Sequence, residues 1–74
     1  MPKLPVVKPK DIIKILNKSG YIEVRQKGSH KHFKKPGENE IVTVAYGNFD
    51  IKQNTLKSIL IQAKLSVEEL KKLL

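Results

Sequence analysis

The feature that most constrains this chain is a change of hydrophobic period, made twice within 74 residues. Ile12, Ile13, Ile15 and Leu16 recur at helical spacing, with Lys10, Asp11, Lys14 and Asn17 on the opposite side. Pro9 suits the first turn of that helix, and Gly20 suits a left-handed cap at its end. From Tyr21 the period drops to two. Ile22 and Val24 alternate with Tyr21, Glu23 and Arg25; "GSHKHFKK" follows, and then the β-branched run "EIVTVAY". Turns are expected at Gly28 and in "KPGENE", so the strands form an antiparallel meander. A helical period returns with Leu56, Ile59, Leu60 and Ala63, capped by Asn54 or Thr55. Ser66 to Glu69 reads as a capping box for a short last helix bearing Leu70, Leu73 and Leu74. The order α-β-β-β-α, with a short extra C-terminal helix, predicts an α+β fold. Both main helices pack on one face of a three-stranded antiparallel sheet. Residues 1–7 read as an extended N-terminal tail and 8–74 as a single domain.

The other sheet face is then left for solvent or a partner. Fifteen Lys and Arg against seven Asp and Glu give a net charge of +8, which favours polyanionic partners. Between Arg25 and Lys35 stand five cations, both histidines and no acid. The chain has no cysteine, which excludes disulfides and thiolate metal sites and fits a reducing cytoplasmic setting. No apolar run approaches the ~20 residues of a membrane span, and no signal-peptide pattern opens the chain. The histidine region lacks the carboxylates a zinc site would add, so neither metal nor cofactor is expected.

Side chains alternate across a strand, so His30 and His32 share one face with Lys34, while Lys31 and Phe33 take the other. Phe33 is the expected core anchor, which places both imidazoles on the open face. Cations around an imidazole favour its neutral, proton-accepting form, and a bound phosphate favours the protonated one. A basic patch with a switchable proton donor is what cleavage of an RNA backbone needs. The same residues also fit binding of RNA without cleavage. Gly28-Ser29 reads as a β-turn, or as a close backbone approach to a phosphate. The lysines read equally as a charged edge that blocks strand aggregation. Tyr21 and Tyr46 read as packing residues or as platforms for a base.

These stretches carry a resemblance. "LNKSGY", then "QKGSHKHFKKPG", then "IVTVAYGNFDIKQNTLKSILIQAKLSVEEL" together resemble the HicA-type mRNA interferases (the YcfA-like family), over about residues 8–74. Gly-Ser-His with an aromatic residue shortly after it is similar to that family's active-site signature, and "TLKSILIQAKLS" to its second mark. The resemblance implies a fold like a double-stranded RNA-binding domain. It implies a metal-independent endoribonuclease that cleaves mRNA as the toxin of a type II toxin–antitoxin system. It also implies a HicB-type antitoxin that covers the active site, with the toxin alone a monomer and the complex a larger assembly. The catalytic histidine maps to His30. His32 takes a supporting role, Gly28 and Ser29 are candidate phosphate contacts, and Lys27, Lys31, Lys34 and Lys35 are candidate backbone contacts. The chain departs from the family at Ala45-Tyr46, where a proline-histidine pair is common, and at Ile51 to Asn54, where a proline-lysine-glycine turn is common. No role is carried onto positions 45–54. The competing reading is a non-catalytic module that binds double-stranded RNA by its A-form shape.

Overall fold

The computed structural model describes residues 4–74. Its elements are α1 (Pro9–Lys18), β1 (Ile22–Lys27), β2 (His30–Lys34), β3 (Ile41–Ala45), α2 (Gln53–Gln62) and α3 (Val67–Leu73). The strands form one antiparallel sheet in the order β1-β2-β3, so β2 is central. The expected α+β architecture is therefore the one observed, a sheet with helices as in a double-stranded RNA-binding domain.

Local chemistry sets most boundaries. Pro9 opens α1, and the Lys8 N–H donates to the Asp11 carboxylate at 3.0 Å. At the far end Gly20 adopts a φ of +97°, which lets the Tyr21 N–H reach the Leu16 carbonyl at 2.9 Å. Helix α2 closes in the same way, but the left-handed residue is Lys64, with a φ of +57°. The Leu65 N–H reaches the Leu60 carbonyl at 2.9 Å, and Lys64 meets the Glu38 carboxylate at 3.4 Å. The Ser66–Glu69 capping box of α3 forms in both directions. Gly28 alone has positive φ in the two-residue turn between β1 and β2, the type II′ pattern that matches strand twist.

One face of the sheet is the core. Phe33, Val42 and Val44 meet Ile12, Ile15, Leu16, Leu56, Ile59, Leu60 and Leu70, all buried. Apart from Tyr21, whose hydroxyl is bonded, no polar or charged side chain is buried among the described residues.

Two boundaries differ from the sequence reading. The cap of α2 is Lys52, one residue before Gln53, and not Asn54 or Thr55. The reason lies next door: Ile51 is buried, and its N–H donates to the Val7 carbonyl at 2.9 Å, which fixes where the chain enters the helix. Of the stretch read as a tail, residues 1–3 lie outside the described residues, and residues 4–7 carry no helix or strand. Yet Val7 is a core residue, and Leu4 packs against the core while its carbonyl accepts from the Gln53 side chain.

Candidate active site on the open sheet face

Paired residues in a sheet project to the same side. His30 is paired with Lys27 on β1 and Ala45 on β3, and His32 with Arg25 and Thr43. Lys34 is paired with Ile22 and Ile41. The open face therefore carries three rows across the strands: Lys27–His30–Ala45, Arg25–His32–Thr43 and Ile22–Lys34–Ile41. None of these nine residues is acidic.

The basic half of this face depends on an irregularity in β1. Glu23 pairs with Phe33, and the next pair is Arg25 with His32, so Val24 is an extra residue in a β-bulge. In an unbroken strand Arg25 and Lys27 would project with Glu23 towards the helices. The bulge reverses them, and both cations come to stand beside the imidazoles.

The two histidines differ in setting. His30 is exposed, and among the described residues it makes no side-chain hydrogen bond. His32 is half-buried, and its Nδ1 lies 2.9 Å from the Thr43 hydroxyl, which fixes the ring and leaves Nε2 as the nitrogen able to meet a ligand. Successive same-face residues are about 7 Å apart along a strand, close enough for both rings to reach one phosphodiester unit. Their position on the central strand gives them a rigid base. Among the described residues no three His, Cys, Asp or Glu side chains gather as metal ligands would.

The structure thus brings together Lys27, Gly28, Ser29, His30 and His32. Ser29 is exposed in the turn beside His30, and its carbonyl accepts the Tyr46 N–H at 2.6 Å. Lys34 shares the face but stands at its apolar end. Lys31 does not share it: its amine pairs with Glu23 at 2.9 Å on the helix-covered side and stands 5.0 Å from the centre of the Tyr46 ring. Lys35 follows β2, and its methylenes pack over Gly20, away from the histidines. Arg25 and Thr43 were missed as site residues. Arg25 stood in the cation cluster, but no local signal marks the bulge that aims it. Thr43 became visible only with the register of β3.

A family model described as the HicA toxin of bacterial toxin–antitoxin systems matches residues 9–65, well over half of the chain. The chain belongs to the HicA toxin family. No curated protein matched it. The matched HicA segment runs from the first residue of α1 to three residues past the end of α2 and includes the whole sheet with both histidines. Among the described residues no helix is long and apolar enough to cross a membrane.

Proposed function

We propose that this HicA-family chain is a metal-independent endoribonuclease that cleaves mRNA in the cytoplasm, with His30 as its general acid or base. The observation that carries the reading is the row arrangement: an exposed imidazole, a fixed one and two cations share a sheet face that has no carboxylate. In the reaction an imidazole takes the proton of a ribose 2′-OH, and the 2′-oxygen attacks the adjacent phosphorus. The P–O5′ bond breaks, and the leaving 5′-oxygen receives a proton. The products are a 2′,3′-cyclic phosphate and a 5′-hydroxyl. Arg25 and Lys27 hold the phosphate and offset the charge that grows on its oxygens. His32, held by Thr43, orients the same group. A HicB-type antitoxin neutralises the chain by covering this face.

The test is growth after induction of the wild-type chain and of His30→Ala, with total RNA resolved on a gel. The reading expects growth arrest and mRNA loss from the wild type alone, relieved by the co-expressed antitoxin. Identical behaviour of the two chains would make the basic face a binding surface.

A further inference from the structure

Transesterification of RNA needs two proton transfers, and the open sheet face carries two imidazoles. In-line displacement sets the attacking 2′-oxygen and the leaving 5′-oxygen on opposite sides of the phosphorus. One ring held beside the first oxygen does not serve the second, so a second group must protonate the leaving oxygen or the work falls to water.

The rows of the sheet limit how a phosphodiester can lie between the rings. Lys27 stands in the row of His30 and Arg25 in the row of His32, both on the β1 side. The partners on the β3 side are Ala45 and Thr43, which carry no charge. The free oxygens of a phosphate are drawn towards β1, and the axis through the attacking and leaving oxygens is left to run along β2. Two residues of strand separate the rings by about 7 Å at their bases. That leaves room for one phosphorus group with a hydrogen bond of ~2.6–3.2 Å on either side.

The two rings are suited to different halves of the reaction. A ring that donates must begin as imidazolium, with hydrogen on both nitrogens. The Thr43 hydroxyl, 2.9 Å from His32 Nδ1, can accept the Nδ1–H and leave the Nε2–H for a ligand. His30 is exposed, and among the described residues no side chain competes for its lone pair. The charged and titratable groups facing His32 are Arg25 and Lys27 on β1 and His30 and Lys34 on its own strand. On β3, Ile41, Thr43 and Ala45 do not titrate near neutral pH. No carboxylate shares the face to act instead, and lysine, at an ordinary pKa of ~10.4, is a poor proton donor at neutral pH.

We propose that His32 is the general acid that protonates the leaving 5′-oxygen while His30 takes the 2′-OH proton, so that the two histidines form one acid–base pair. The inference rests on the ribonuclease reading of this face, and it gives His32 a proton to move where that reading has it orient the phosphate. The O2′–P bond forms as the P–O5′ bond breaks. The 2′ proton goes to His30, the Nε2 proton of His32 goes to O5′, and exchange with water resets both rings.

The test compares an oligoribonucleotide with one in which sulfur replaces the 5′-oxygen at the bond the wild type cuts. A thiol ionises near pH ~8.5, so the sulfur leaves with little need of a proton. His32→Gln should lose about 10²–10⁴ in rate on the oxygen substrate and less than about tenfold on the sulfur one. His30→Ala should lose about 10²–10⁴ on both. With the oxygen substrate, kcat/KM of the wild type should rise and then fall with pH, and His32→Gln should keep the rise and lose the fall. Urea midpoints confirm that each variant folds, and His32→Ala is read in the same way should the longer Gln side chain disturb the fold. Equal losses of the folded His32 variant on both substrates, or no loss on either, would overturn the pair and leave His30 in place. A wild type that cuts neither substrate would remove the ribonuclease reading itself, and the pair with it.

Discussion

The strands β1 and β3 flank the same central strand, and they are built in opposite ways. In β3, Val42 and Val44 are buried while Ile41 is exposed, as a strand packed on one side should be. In β1 every residue from Ile22 to Lys27 is exposed. Helices α1 and α2 both contact β3, and β1 reaches beyond their cover. The core reaches this edge through Tyr21, one residue before β1, which is buried and donates its hydroxyl to the Ala63 carbonyl at 3.3 Å. The difference teaches that β3 serves the core, while β1 is free of it. An edge strand without packing duties can take a bulge, and that bulge turns Arg25 and Lys27 towards the histidines.

Stability should separate the two strands first. Val42→Ala removes buried methyl groups and should lower the unfolding free energy by about 2 kcal/mol in urea titrations. Deleting Val24 should instead spare most of the core and damage the site. Without the bulge Arg25 and Lys27 face the helices, and the two proposed phosphate contacts would be lost. On the His30→Ala background, the slope of log affinity for single-stranded RNA against log salt should fall in magnitude by about 1.4, at ~0.7 per contact. An unchanged slope would mean that the bulge does not aim these cations.

Tyr21 gives a smaller effect with a pH signature. Burial, with Glu38 and Glu40 adding to it, pushes its phenol above the usual 10.0. The folded state therefore holds this proton more tightly than the unfolded one. The associated stability is complete below pH 10 and is lost as pH rises through the folded value. Tyr21→Phe should cost about 1 kcal/mol at neutral pH through the lost hydrogen bond. It should also show less loss of stability in the alkaline range than the parent, when urea midpoints are compared across pH. Smallest of all, Val24→Ala should shift stability by no more than about 0.5 kcal/mol, despite replacing an apolar residue.

That last contrast marks where sequence reading stops. The helix caps at Pro9, Gly20 and Ser66–Glu69 were legible because each is satisfied within a few residues of itself. So was the division of β2, since parity alone separates Phe33 from His30 and His32. Ile22 and Val24 signalled a strand, but exposure is set by how far the helices reach, and alternation does not carry that. The bulge was not legible, because one extra residue leaves no mark in composition. The cap of α2 was misread because the local preference for Asn54 or Thr55 yielded to a distant bond between Ile51 and Val7. Lys64 takes a left-handed position that a glycine would fill more easily, and Glu38, far away in sequence, helps to hold it there. Family membership was legible in the motifs, whereas Arg25 and Thr43 needed the register.

The most direct test of the central claim is the rate at which purified protein cleaves a defined single-stranded RNA in the presence of EDTA, for the wild type and for His30→Ala. The two should unfold at the same urea concentration, since His30 is exposed. The account predicts cyclic-phosphate products from the wild type and a loss of about 10²–10⁴ in rate for the variant. A folded His30→Ala chain that cuts as fast as the wild type would contradict it.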